Sequence, residues 1–298
     1  MNAIEIKNIT KQFKDHVVLK GIDLTVNEGE VFTLLGENGA GKTTLINILT
    51  TLSHPNSGSV KIEGNDLNQG DIIRELISLN SQSNTVDDSF SGYENLKLIA
   101  ELRNVKNVAA EINRVSDRLN LETFLNQKVL TYSGGMRRRL DIAMSLIGDP
   151  EIIFLDEPST GVDPKNRLEI WKIIKELRDS GKTIFLTTQY LDEADQLSDH
   201  IGFINDGKIV LYGTPEEIKK DANNQFSLTV ETKEVEKAEK ILADNNISYT
   251  LNENSVEVSE IDSQFVLDTI VNNKIDLLDF HKVETNLETI FLNTTQRK

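Results

Sequence analysis

Eight consecutive residues, Gly36-Glu37-Asn38-Gly39-Ala40-Gly41-Lys42-Thr43, constrain this chain more than any other feature. They fit the pattern G-x(4)-G-K-[ST], and their flanks supply the setting that pattern needs. Val31 to Leu35 is a continuous apolar run of strand length, as in a parallel strand buried on both faces. Beyond Thr43, Leu45, Ile48 and Leu49 share one face of a predicted helix. Small residues let backbone N–H groups turn inward around phosphates, and the helix N-terminus adds its positive dipole end. Lys42 is placed to reach the β- and γ-phosphates, and Thr43 to ligate Mg²⁺.

A second strand-like run, Ile152-Ile153-Phe154-Leu155, ends in Asp156-Glu157-Pro158. Ligands of open parallel sheets bind at the carboxyl ends of the strands. There Asp156 would hold Mg²⁺, directly or through water, and Glu157 would orient and deprotonate an attacking water. Taken alone, the pair is also what a solvated acidic turn looks like. The phosphate loop upstream favours the chemical reading.

Composition narrows the class further. Lys and Arg number 32 against 48 Asp and Glu, a net charge of −16, which opposes coating of a nucleic-acid backbone. The absence of cysteine removes disulfides, thiolate zinc sites and Cys catalysis and fits a reducing compartment. The four histidines, His16, His54, His200 and His281, are too scattered for a metal cluster. No apolar stretch approaches the roughly 20 residues that span a bilayer. Neither a signal peptide nor a lipidation box is legible, so a soluble, intracellular chain is expected.

Along the chain, Ile4, Ile6 and Ile9, then Val17 to Leu19, then Ile22, Leu24 and Val26 read as short strands. Val60 and Ile62 suggest another, and Leu76 to Leu79 one more. From Tyr93 to Gly148 the spacing turns helical. Asp163-Pro164 caps a helix carrying Leu168, Trp171, Ile174 and Leu177. Ile184 to Leu186 is a third buried strand, and residues 201–211 form a hairpin about Asn205-Asp206-Gly207. Near residue 222 the character changes. A strand, a helix, two strands, a helix, a strand and a last helix (Leu287 to Leu292) follow, and βαββαβ is the ferredoxin-like order. The predicted domains are 1–221, with a helical subdomain at about 86–149, and 222–298.

Tyr132-Ser133-Gly134-Gly135-Met136 precedes the helical run Arg137 to Ile147. A serine hydroxyl and unhindered glycine N–H groups at a helix N-terminus form an anion site. With the phosphate loop and Asp156-Glu157, this segment resembles the ATP-binding-cassette (ABC) ATPases, whose signature is usually Leu-Ser-Gly-Gly-Gln. Tyr132 and Met136 depart from that form. The resemblance covers about residues 3 to 215 and implies a P-loop NTPase cassette: a RecA-like α/β core, an N-terminal antiparallel β subdomain and a helical subdomain. It implies ATP bound by Phe13 (stacked on adenine, though an aromatic there could equally be core) and by Gly36, Glu37, Asn38, Gly39, Ala40, Gly41, Lys42, Thr43 and Thr44. It also implies Mg²⁺ on Thr43, Gln82 and Asp156. Ser133, Gly134, Gly135 and Asp163 would meet the ATP held by a second subunit. Catalysis would rest on Glu157, Lys42, Gln82 and Gln189.

At Gln189 the family normally has histidine; a glutamine donates a hydrogen bond there but carries no proton charge. Thr188 to Ala194, Tyr132 to Arg139 and Asn286-Leu287-Glu288-Thr289-Ile290-Phe291-Leu292 together resemble the daunorubicin-resistance branch of antibiotic exporter ATPases. That branch implies an ATP-driven homodimer on the cytoplasmic face of a membrane, docked to separate polytopic permease subunits and exporting an amphiphilic substrate. The alternative is a soluble ABC ATPase acting on ribosomes or nucleic acid. Asn273-Lys274-Ile275-Asp276 matches a guanine-recognition tetrapeptide and reads as chance, lying in the separate C-terminal unit. Arg137-Arg138-Arg139 reads as a solvated helix face, or else as a contact with partner surfaces or lipid headgroups.

Overall fold

The computed structural model describes residues 1–81, 86–222, 225–230, 234–245, 247–252, 255–259, 263–282, 286–288 and 290–291. The chain divides into two units, 1–214 and 215–298.

The first unit carries two sheets. One is antiparallel, in the order β2-β1-β4-β5: β1 (Asn2–Phe13), β2 (His16–Asn27), β4 (Ser57–Ile62) and β5 (Asn65–Asp66). The apolar runs at Val17 and Ile22, read separately from sequence, belong to the single strand β2, which pairs with β1 through several register shifts. Those irregularities let one strand carry two hydrophobic phases.

The other sheet has six strands in the order β10-β9-β3-β8-β7-β6. Its members are β3 (Val31–Leu35), β6 (Ile77–Asn80), β7 (Ile152–Asp156), β8 (Thr183–Thr188), β9 (His200–Asn205) and β10 (Lys208–Gly213). All neighbours are parallel except the hairpin partner β10. Residues alternate between two cores, as a two-residue period requires. Val31, Ile153, Leu155, Ile184 and Leu186 join the core shared with the helical region. Phe32, Leu34, Ile152, Phe154 and Phe185 join the core shared with the antiparallel sheet. In that second core Phe185 packs against both Phe32 and Phe154, at centroid distances of 5.1 and 5.5 Å. Burial on both faces explains why β3, β7 and β8 are wholly buried.

Three helices make the helical region: α3 (Gly92–Leu102), α4 (Val108–Leu119) and α5 (Gly134–Leu146). A capping box opens α3, with Ser91 Oγ accepting from Glu94 N and Glu94 Oε2 accepting from Ser91 N. The first unit is completed by α1 (Lys42–Leu49), α2 (Gly70–Leu76), α6 (Pro164–Asp179) and α7 (Leu191–Leu197).

The second unit opens with α8 (Pro215–Ala222). It continues as β11 (Gln225–Val230), α9 (Val235–Asp244), β12 (Tyr249–Asn252), β13 (Ser255–Ser259), α10 (Ser263–Asn272) and β14 (Leu277–Lys282). Its antiparallel sheet runs β12-β13-β11-β14. Leu228, Val256 and Val258 face Ala238, Leu242, Val266 and Ile270 in a core of its own. Beyond β14 the helical residues of the last segment are Leu287, Glu288, Ile290 and Phe291, whereas Thr289 and Leu292 lie outside the described residues. Among the described residues no helix is long and apolar enough to cross a membrane.

The nucleotide site

The loop after β3 delivers the phosphate-binding residues. Gly36 N donates to Thr188 O (3.2 Å), tying the loop to the end of β8. A Cβ at Gly36 would lie 2.4 Å from Ile204 O, so no side chain fits at the strand exit. Helix α1 begins at Lys42 behind Gly41, which is left-handed (φ 110°) and offers no side-chain cap. The first N–H groups of α1 therefore face outward without a side-chain partner, the arrangement that meets an anion.

Lys42 is 4% exposed. Its Nζ donates to Gly36 O (2.8 Å) and Glu37 O (3.1 Å) and lies 3.3 Å from Glu157 Oε1. A buried ammonium needs this kind of compensation. The Glu157 carboxylate also accepts from Thr160 Oγ1 (3.2 Å). Glu157 is left-handed, with φ 52°, a strained conformation for a side chain of this kind. It is held by its own N–H, which donates to Thr187 O (3.0 Å) and lies 3.2 Å from Thr187 Oγ1. The turn at the end of β7 thus aims the carboxylate into the cleft.

Asp156 sits one residue earlier. Its Oδ2 accepts from Thr43 Oγ1 (3.0 Å) and its Oδ1 from Thr187 Oγ1 (2.5 Å). Hydroxyl and carboxylate oxygens this close form a hard-oxygen donor set that fits Mg²⁺. Val18, Asn38, Gly39, Gly41, Lys42, Thr43, Thr44 and Glu157 line a cleft of about 320 Å³. Glu37 and Ala40 belong to the same loop, closed by Ala40 N donating to Glu37 O (3.2 Å). Phe13, at the tip of the β1–β2 hairpin, is 51% exposed with Lys11 Nζ 4.9 Å above its ring, and so is not a core residue. Gln82 lies outside the described residues.

The Ser133 segment is a separate helix N-terminus. Ser133 caps α5, its Oγ accepting from Met136 N (3.2 Å). Gly134 faces open space, whereas a Cβ on Gly135 would meet the Asn166 amide at 2.3 Å. Asn166 in turn donates to Asp163 from its backbone (3.1 Å) and its side chain (2.5 Å). These bonds hold the Asp163 carboxyl below its ordinary range. Ser133, Gly135 and Asp163 are thereby brought together, and none of them lines the phosphate cleft.

The Arg137-Arg138-Arg139 run is not the solvated face that the sequence suggests. Arg137 pairs with Asp88, and Arg138 donates to Pro158 O (2.6 Å) and Asp141 Oδ2 (2.9 Å). The Arg139 guanidinium lies 5.1 Å above the Phe124 ring. Gln189 follows β8, partly exposed, in a turn spanned by Tyr190 N donating to Thr188 Oγ1 (3.0 Å). Asn273 to Asp276 form the exit from α10, where Asn273 Nδ2 donates to Thr269 O (2.7 Å) and Asp276 N to Glu234 Oε2 (2.5 Å).

Sequence reading missed Thr187, Thr160 and Asn166. A hydroxyl at a strand end or an amide in a first helical turn carries no signal until its partner is known. Helix α2 escaped as well, being only seven residues long with one buried side chain, Ile73.

Comparison with known proteins agrees with this geometry. Residues 19–160 match the ABC transporter family model. The chain is 41% identical over 222 residues to the daunorubicin resistance ATP-binding protein DrrA3 of Streptomyces coeruleorubidus, covering 74% of this chain and 70% of that protein. It is 38% identical to the Nod factor export ATP-binding protein I of Cupriavidus metallidurans, covering 73% of each. A dimeric ATP-binding cassette solved in a post-hydrolysis state with ADP and Pi is 26% identical, with a TM-score of 0.64 over 71% of this chain and 98% of that one. The phosphate loop, its paired carboxylates and the capped Ser-Gly-Gly helix thus occur in one ATP-binding cassette, and the chain belongs to the ABC transporter ATP-binding family as an ATPase.

Proposed function

We propose that this ATPase is the energising subunit of an ABC-2-type exporter, working as a homodimer that clasps two ATP molecules. The observation that carries this is the division of labour within one chain. The cleft holds phosphate-binding and hydrolytic groups, while Ser133, Gly134, Gly135 and Asp163 are gathered elsewhere. A second copy would bring its Ser133 segment to the γ-phosphate held by the first. Relatives named for drug resistance and Nod factor export support the direction of transport. The substrate would be an amphiphile.

In this reading Phe13 stacks on adenine. Residues 36 to 44 and Lys42 cradle the phosphates. Thr43 and Asp156, with Gln82, would hold Mg²⁺, which when bound neutralises charge building on the β- and γ-oxygens. Glu157 orients a water and takes its proton as the water oxygen bonds to the γ-phosphorus and the bond to ADP breaks. Gln189 donates a hydrogen bond to the γ-phosphate but takes up no proton.

The groove of about 570 Å³ beside β6, lined by Thr50, Leu52, Arg74, Ile77, Leu102 and Arg103, is where a polytopic permease subunit would dock at the cytoplasmic face. Closure on ATP and opening after hydrolysis would then move the permease between two states. We read the C-terminal unit as a ferredoxin-like accessory domain, from its βαββαβ order and its β12-β13-β11-β14 sheet.

Recovery of the tagged chain from detergent-solubilised native membranes tests the assignment. A stoichiometric polytopic partner is the expected result. Recovery with ribosomes or nucleic acid alone would favour the soluble alternative, which the net charge of −16 already opposes.

A further inference from the structure

One fully buried carboxyl in the first unit takes no part in the phosphate cleft. Glu193, in the first turn of α7, has no exposed surface. Its Oε1 accepts from Trp171 Nε1 of α6 at 3.0 Å. The hydroxyls of Ser159, just beyond Glu157-Pro158, and of Thr188, the last residue of β8, lie beside the same carboxyl. Yet neither Oε2 nor Ser159 Oγ completes a bond of full geometry. Buried polar atoms that face one another short of a bond mark a place where the position of one proton decides the local structure.

The charges around it are few. Asp192, on α7 itself, adds a like charge and is paired with Arg167 of α6 at 3.2 Å. Arg138 of α5 faces Glu193 and is engaged with Asp141 at 2.9 Å, with Asp156 also within its field. Burial holds the Glu193 carboxyl above the usual carboxylate range, against the pull of the neighbouring Thr188 and Ser159 hydroxyls and of the Trp171 N–H.

The contacts of Glu193 reach two catalytic segments. Thr188 Oγ1 accepts from Tyr190 N, closing the turn that carries Gln189. Pro158, beside Ser159, is gripped from α5 by Arg138. We propose that Glu193 is a positioning residue for hydrolysis, a buried carboxyl that ties the Gln189 turn to the Ser159 segment following Glu157. This rests on the reading of Gln189 and Glu157 at the γ-phosphate. In the neutral form its O–H donates towards Ser159 Oγ while the other oxygen accepts from Trp171. Ionisation removes that donor and leaves a charge buried beside Asp192.

Glutamine reproduces the neutral acid's donor and acceptor, whereas leucine fills the space and strands the Trp171 N–H and the Ser159 hydroxyl. Steady-state hydrolysis and equilibrium binding of a fluorescent ATP analogue are measured on the full chain across the pH range in which it stays folded. Glu193→Gln should keep kcat within about threefold of wild type and remove whatever part of the pH profile the Glu193 carboxyl contributes. Glu193→Leu should lower kcat by at least about tenfold with nucleotide affinity unchanged. Should Glu193→Leu fail to fold, the isosteric Thr188→Val carries the test, with kcat expected about fivefold lower at the same affinity. Wild-type kcat in Glu193→Leu or Thr188→Val overturns the proposal. So does a Glu193→Gln as impaired as the leucine variant, or a loss that falls on affinity alone. Gln189→Ala and Glu157→Gln, measured alongside, show separately whether the underlying reading of those two residues fails.

Discussion

The phosphate-loop cleft and the Ser133 segment are both helix N-termini suited to an anion, yet they are finished to different degrees. Around α1 the chain gathers the loop N–H groups, a buried lysine, and two carboxylates at the end of β7, Thr187 holding Asp156 by its side chain and Glu157 by its backbone. Around α5 it supplies a cap, two glycines and an aspartate one helix away, while Arg137 and Arg138 in its opening turns are engaged with Asp88 and Asp141. Gly36 is demanded by a backbone oxygen of its own fold. Gly134 is demanded by nothing within 4 Å. That leaves room at Gly134 for the partner surface that the proposed dimer would bring. In the proposed dimer the first region would form one half of a shared site, and the second would be the other half, offered to a neighbour.

The largest effect that can sharpen this comparison lies in the cleft. Glu157→Gln should reduce hydrolysis by about 10²- to 10⁴-fold, the usual contribution of a positioned base, while ATP still binds and dimers accumulate. Hydrolysis near the wild-type rate would remove Glu157 from the role of base. Next comes Ser133→Arg, which should lower hydrolysis more than about tenfold without changing the affinity of a single chain for ATP. An equal loss of affinity would mean that both helix N-termini serve the same nucleotide in one chain.

Two alanines separate the regions by stability. Gly36→Ala forces a Cβ to within 2.4 Å of Ile204 O and should cost about 1–3 kcal/mol in urea unfolding. Gly134→Ala should cost less than about 0.5 kcal/mol, yet lower hydrolysis. The opposite order would contradict the reading of either glycine.

The smallest effect concerns how α5 is steered. The Glu111 carboxylate accepts from Arg114 (2.8 and 2.9 Å) and from Gly148 N (2.8 Å), joining α4 to the chain just beyond α5. Its bond with Arg114 holds it below the ordinary carboxylate range. The stabilisation is therefore present above the unfolded carboxylate's pKa and fades as pH falls through the lowered folded value. Glu111→Gln should melt about 2 °C lower at neutral pH, and the gap should close in acid. A gap that persists in acid would show that charge is not what steers the helix.

The two regions also differ in how far the sequence reveals them. Gly36 to Thr43 announces its fold because a tight phosphate turn admits few residue types at fixed spacing. Buried strands such as Val31 to Leu35 and Ile152 to Asp156 are legible for a related reason, since burial on both faces leaves an unbroken apolar run. The hydroxyls that finish the site are not legible. Thr187 looks like any strand residue until β8 is seen beside β7, with Asp156 opposite it. Arg138 looks solvated until the carbonyl of Pro158 is placed next to it. Glu193 follows Asp192 with nothing in its spacing to mark it, and only the packing of α6 and β8 around it makes it interior. Pairings between residues far apart in the chain carry the information that spacing within one segment lacks.

A mixing experiment tests most directly whether the two regions belong to one site shared between two chains. Lys42→Ala and Ser133→Arg are each expected to be inactive alone. A mixed dimer contains one cleft with an intact phosphate loop from the Ser133→Arg chain and an intact Ser133 segment from the Lys42→Ala chain. Hydrolysis by the mixture well above the sum of the separate proteins is the result predicted. A mixture no more active than its parts, although mixed dimers form, would contradict the account and return both elements to a single chain.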